Sequence, residues 1–263
     1  MPDVDFDDAR LQGMKGPGLL WVASKIKKPD LLDWTTFLKW YDEEVFPQAI
    51  DMSMVPSGLR STARDQSNEW WNLCLSPVTD FAYFQTDEFQ QAMADDNKNK
   101  LLPAGGKYHD LVDFDCRFYN IQSTFEHGNQ TTLESTKCLM VSQWDFRADM
   151  EESEFDGWYY SQHLPMMGGV PGFLRSSRYK LDHGLWTSGD GAELPCPDWV
   201  EVNEFDTMDI DVYYILEAAA KQSEQMHDIM AKTTFSIDVY RVEKLFGDKT
   251  FFHGFGRPSS EAE

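Results

Sequence analysis

Apolar residues along this chain change their spacing in a fixed succession, and the succession occurs twice. Residues 18–26, GLLWVASKI, form an apolar run of strand length. From 30 to 46 the apolar positions Leu31, Trp34, Phe37, Leu38 and Tyr41 fall at helical spacing behind Asp30, a residue type that caps helix N-termini. Strand patterns come next near 58–65 and 69–76, then a short helix near 86–95 and a strand near 114–126. The second series has strands at 137–146, 172–181, 198–205 and 235–243, with helices at 151–164 and 207–230.

Each series reads β-α-β-β-α-β, the ferredoxin-like unit. Residue identity supports a duplication. LLWVAS (19–24) overlays CLMVSQ (138–143), WYDEEVFP (40–47) overlays WYYSQHLP (158–165), and VPSGLRSTAR (55–64) overlays VPGFLRSSR (170–178). The copies stand 118 residues apart at Trp40/Trp158 and at the next Pro, and 115 apart at Arg60/Arg175. The first copy therefore carries three extra residues before its Val-Pro. The expected organisation is a segment 1–16, a first repeat 17–130, a second repeat 131–246 and a tail 247–263. A four-stranded antiparallel sheet with helices on one face must cover its other face. The predicted fold class is accordingly α+β, with two ferredoxin-like repeats closing one intrachain pseudo-dimeric α+β barrel.

Strand alternation assigns side chains to faces. In the second repeat Val200, Val202, Ile237 and Val239 suit the helix-covered face. Trp199, Glu201, Asn203 and Phe205, with Asp238 and Tyr240, then point to the other face. In the strand before them Met140, Ser142 and Trp144 alternate with Leu139, Val141 and Gln143. A face mixing aromatic and polar groups predicts a ligand-sized cavity between the two sheets. Candidate lining residues are Met140, Trp144, Arg175, Trp199, Glu201 and Asp238, with the tryptophans as walls and Arg175 as a partner for a carboxylate or phenolate.

Composition narrows the function classes. With 45 acidic against 23 basic residues, the net charge of −22 repels phosphate backbones, so no nucleic-acid partner is expected. No run reaches the roughly 18 apolar residues of a membrane span, and the acidic start MPDVDFDDARLQGMK does not read as a signal peptide. Cys74, Cys116, Cys138 and Cys196 are widely spaced, without a CxxC pair or zinc spacing, which points to free thiols in a reducing, cytoplasmic compartment. No motif implies a metal or organic cofactor. The expected partner is a hydrophobic small-molecule substrate, and the fused barrel is expected as a monomer or a homodimer.

WYYSQHLPMMGGVPGFLRSSRY, from Trp158 to Tyr179, resembles the helix-to-strand signature of the EthD-like branch of the dimeric α+β barrel superfamily. The resemblance is carried by the Trp-Tyr pair, His-Leu-Pro and Pro-Gly-Phe, and extends over the rest of the chain by topology. It implies the fused two-repeat form often found in fungi. It also implies a superfamily of polyketide cyclases, muconolactone isomerases, decarboxylases, cofactor-free monooxygenases and haem-dependent enzymes; in its cyclase and isomerase members a histidine at this kind of position acts as base or acid, often with a tyrosine hydroxyl in the cavity.

On this chain that histidine is His163, and the first copy has Val45 in its place. Tyr159 and Tyr160 stand four and three residues before it, within reach on one helix, and Tyr240 is a third candidate partner. Pro165 is expected to end the helix and leave His163 in the last turn. Imidazole suits proton transfer near neutrality. His109, flanked by Tyr108 and Asp110 in a loop, is a lesser candidate. Together these features predict a cofactor-independent enzyme of secondary metabolism acting on a polyketide- or terpenoid-like intermediate by cyclisation, isomerisation or decarboxylation. A cofactor-free or haem-dependent oxygenase and a non-catalytic carrier remain the alternatives. A His before Leu-Pro can also serve only to fix its turn.

Overall fold

The computed structural model describes residues 12–65, 67–93, 100–103, 108–128, 132–186, 196–222 and 224–249. Eight strands close into one barrel. The first four are β1 (Gly18–Ile26), β2 (Ser57–Ala63), β3 (Asn72–Val78) and β4 (Val112–Glu126). The second four are β5 (Cys138–Phe146), β6 (Phe173–Trp186), β7 (Trp199–Phe205) and β8 (Thr233–Gly247). The order around the barrel is β1-β3-β2-β8-β5-β7-β6-β4, every pair antiparallel. Each half thus keeps the ferredoxin-like order, fourth-first-third-second. The halves are joined by β2 on β8 and by β4 on β6, so no sheet edge is left unpaired. The predicted fold class is the observed one.

Helices cover the outside. In the first half α1 (Trp34–Trp40), a π turn (Tyr41–Val45) and α2 (Phe46–Asp51) run as one rod, and α3 (Asp87–Met93) comes after β3. The second half repeats the rod as α4 (Glu152–Trp158), a π turn (Tyr159–His163) and α5 (Leu164–Gly168), and adds α6 (Val212–Gln222) and α7 (Glu224–Ala231). None of the helices among the described residues is long and apolar enough to cross a membrane.

Two helix expectations need correction. Asp33, not Asp30, caps α1, accepting the Thr36 N–H at 2.8 Å, and Leu31 lies outside the helix with 59% of its surface exposed. Pro165 does not end the helix at His163, because the chain widens before it. The Leu164 N–H bonds to the Tyr159 carbonyl, five residues back, so the ring missing a donor is accommodated and α5 continues to Gly168. Pro47 has the same effect in the first half, where the Phe46 N–H bonds to the Tyr41 carbonyl.

The faces of two strands are also reversed from expectation. Val200 and Val202 point into the barrel, where they pack with Leu139, Val141, Leu19, Trp21, Leu59, Leu73, Leu75, Tyr119 and Tyr240. Met140, Trp144, Trp199 and Phe205 instead face the helices. The barrel closes around aliphatic residues together with Trp21, Tyr119, Tyr179 and Tyr240, and the helix layer of the second half takes further bulky aromatic groups such as Phe155 and Trp158. In β8 the expectation holds: Val239 meets the helices, whereas Tyr240 points inward and Asp238 lies opposite the inward Val141. The overlay of 19–24 on 138–143 is out of phase, since Leu19 faces the interior and Cys138 the helices.

Candidate active site between helix and sheet

The second π turn faces β7 across the helix-to-sheet cleft. A helix widened by one residue turns both Tyr159 and His163 toward the sheet, with their rings stacked at 5.3 Å and Trp158 at 5.0 Å from the imidazole. Opposite them stands Glu201, 2% exposed. Its Oε1 accepts hydrogen bonds from the Ser176 hydroxyl at 2.9 Å and the Tyr159 hydroxyl at 3.1 Å, and lies 3.0 Å from His163 Nε2.

The electrostatics give each partner a state. Burial works against ionisation of Glu201, but the charge of the protonated His163 ring, with the hydrogen bonds from that ring and from the Ser176 and Tyr159 hydroxyls, outweighs it and holds the carboxyl below its ordinary range. Glu201 is therefore an ionised acceptor, and His163 must donate from Nε2. In the neutral ring that leaves the lone pair on Nδ1. This atom is buried and has no hydrogen-bond partner. Tyr159 stays a phenol, because burial first and then the Glu201 charge push its pKa well above the usual range. The arrangement can accept a proton at Nδ1 and steady the resulting imidazolium with the Glu201 charge.

The sequence-predicted residues divide among several places. His163, Tyr159 and Glu201 come together, but on the helix side of β7 and not in the barrel cavity expected for Glu201. Trp144 and Trp199 belong to the aromatic layer beside them, and Met140 packs lower on the same face with Met167 and Phe173. Tyr160 points away, 46% exposed. Tyr240 and Asp238 lie inside the barrel on the other side of the sheet, where Asn68 approaches Asp238 at 3.4 Å. Arg175 is buried in a paired contact with Glu204, at 2.6–2.8 Å, with Glu126 at 3.6 Å. The His109 side chain lies outside the described residues. Sequence reasoning missed Ser176. A register shift between Phe173 and Arg175 turns it toward Glu201, and such a shift leaves no trace in an alternation pattern.

All four cysteines are free, and burial pushes the Cys74 thiol up to about 12. Among the described residues no group of His, Cys, Asp and Glu side chains is arranged to hold a metal ion.

No protein-family model matches the chain, and no curated protein matches it. Solved structures do. An anthrone oxidase-like protein superposes with a TM-score of 0.52 at 10% identity, over 89% of this chain and 94% of its own. Two variants of chlorite dismutase from Candidatus Nitrospira defluvii each give a TM-score of 0.51, at 11% identity over 89% of this chain and 94% of that one, and at 10% over 90% and 95%. At such identities the likeness is one of fold, and with the closed eight-strand barrel it gives this chain the dimeric α+β barrel architecture.

Proposed function

We propose that the chain is a cofactor-independent enzyme that moves a proton on a hydrophobic, oxygenated small molecule, with His163 as the base and Glu201, Tyr159 and Ser176 holding it. The reading rests on one observation: the imidazole is fixed through Nε2, and its other nitrogen, closed to solvent, has no hydrogen-bond partner. Protonating an otherwise unpartnered buried nitrogen is unfavourable unless something is there to receive the N–H. A substrate enolate or phenolate oxygen placed at Nδ1 is such a group. The Nδ1 atom is closed to solvent, so turnover on this reading includes an opening of the π turn away from α7, which breaks the 2.8 Å Gln162–Gln225 hydrogen bond.

The resemblance to the EthD-like branch supports the same role, and it supports assigning the chain to that branch as a duplicated, fused form with repeats at 17–130 and 131–246. A polyketide- or terpenoid-like intermediate and a cytoplasmic site of action belong to this reading. Cyclisation, isomerisation and decarboxylation share the proton abstraction and differ in the bond made or broken after it.

Anthrone is a first substrate to try, given the anthrone oxidase-like neighbour and the acidic methylene hydrogens on the ring carbon opposite its carbonyl. In D2O the protein should accelerate deuterium incorporation at that carbon, monitored by NMR, and His163→Ala should lower the rate by roughly 10²–10⁴. Oxygen uptake with quinone formation would redirect the reading to an oxygenase. Equal exchange with and without the imidazole, across anthrone and related enolisable aromatic ketones, would overturn it.

A further inference from the structure

The corresponding cleft of the first half is built differently. Tyr41 takes the place of Tyr159, Val45 that of His163, and Cys74, at the third position of β3, faces Tyr41 as Glu201 at the third position of β7 faces Tyr159. Smaller groups leave space. A cavity of about 40 Å³ lies there, lined by Leu20, Val22, Val45, Ala49, Cys74 and Phe118, among others.

Its size and chemistry restrict what it can hold. A water needs roughly 10–15 Å³ on this measure and two to four polar partners, so the space exceeds one water several-fold. The surrounding walls are almost wholly aliphatic and aromatic. Burial keeps the Cys74 and Cys116 thiols neutral, and burial with those two thiols does the same for the Tyr41 phenol. Charged and strongly polar ligands are therefore excluded. A polycyclic substrate is excluded by size, since sites for such ligands run to about 300–1,000 Å³. Of the lining residues only Val22 and Val45 are part-exposed, which puts the mouth between β1 and the first π turn.

We propose that this cavity is a second binding site, for a small neutral apolar molecule of xenon or short-hydrocarbon size, distinct from the site at His163. It lies over the sheet of the other half, so it does not depend on the proton-transfer reading, and failure of either leaves the other standing.

Xenon is the probe. Methyl NMR spectra of the protein under rising xenon pressure should show saturable shifts at Leu20, Val22, Val45 and Ala49, with none at Leu164 or Ile229 in the second half. Ala49→Leu, which fills the space, should abolish the shifts and raise the melting temperature without xenon. Xenon should raise the melting temperature of the parent protein only, since a ligand bound by the native state alone stabilises it. Val45→Phe, which plugs the mouth, serves as a second variant should Ala49→Leu not fold. Absent or non-saturating shifts in the parent protein, or shifts that persist in the filled variant, would overturn the proposal.

Discussion

The two halves of the barrel set a tyrosine from a π turn against the third strand of their sheets, but what the tyrosine meets differs. Tyr159 meets a carboxylate that also holds a histidine and a serine. Tyr41 meets thiols, beside a valine in the histidine's position, and the cleft keeps a void. Both halves retain the Trp-Tyr pair, the widened turn and the proline behind it, which are the parts that shape the rod. The repeated residues thus shape the rod, and on the proposed reading the groups that set the second half apart are His163 and Glu201, where the first copy has Val45 and Cys74.

Arg60 and Arg175 test how far that reasoning extends, because the overlay makes them equivalent and their surroundings do not. Arg60 reaches outward to Asp42 on the first rod, at 2.8 and 3.1 Å, where Lys244 also contacts the carboxylate at 3.1 Å. Arg175 lies buried against both oxygens of Glu204, and Oε2 also accepts from the Thr136 hydroxyl at 2.6 Å. Removing Arg175 strands a buried carboxylate, so Arg175→Ala should cost about 3–5 kcal/mol in urea unfolding. Arg60→Ala removes a pair that is also largely buried but leaves Asp42 with Lys244 and some solvent, and should cost about 2 kcal/mol. Equal losses would mean that the arginines act alike and that the ion pairs are incidental.

Glu201 gives the next largest effect. Glu201→Leu leaves the Ser176, Tyr159 and His163 donors without their acceptor, at a cost of about 2–3 kcal/mol. Because the folded-state pKa of Glu201 is depressed, its contribution is present above the ordinary carboxylate pKa and is lost as pH falls through the lowered value. The gap between parent and variant should therefore close on acidification. The network can also be rebuilt in the first half. Cys74→Glu alone buries an unmatched carboxylate, whereas Cys74→Glu with Val45→His should recover about 1–2 kcal/mol of that loss as coupling. Strict additivity would show that the two clefts are not equivalent in geometry.

Much of the architecture was legible in the sequence. The two-fold β-α-β-β-α-β succession and the Trp, Pro and Arg overlay led to the barrel, because topology follows from periodicity and the need to cover a bare sheet face. His163 and Tyr159 were legible as a pair from their spacing of four. The face on which Glu201 stands was not. Val200 and Val202 suit either side of a sheet buried on both faces, and alternation fixes only which residues share a side. Ser176 was hidden by a bulge, and the π turns by a helical pattern that reads the same whether a carbonyl is taken by the fourth or the fifth residue on.

The barrel interior offers the smallest test and extends the contrast across the sheets. On β4 the buried Arg117 is paired with Asp115, at 2.9 and 3.0 Å from its Nε, with Tyr119 next inward. On β8 the inward residues before and at the matching tyrosine are Asp238 and Tyr240, and no cation is paired with Asp238 among the described residues; Asn68 contacts it at 3.4 Å. Burial raises the Asp238 pKa, with Asn68 opposing, so the ionised form is disfavoured in the fold. A carboxyl with a raised folded-state pKa contributes its full stability below the unfolded value and loses it as pH rises through the folded one. Asp238→Asn should then match the parent protein in acid and exceed it near neutrality. The gain will be modest, since the group is only partly buried, and it should appear in the melting temperature measured across that pH range. A variant less stable than the parent at neutral pH would mean that the ionised Asp238 is favourably placed, and would make it again a candidate for holding a ligand inside the barrel.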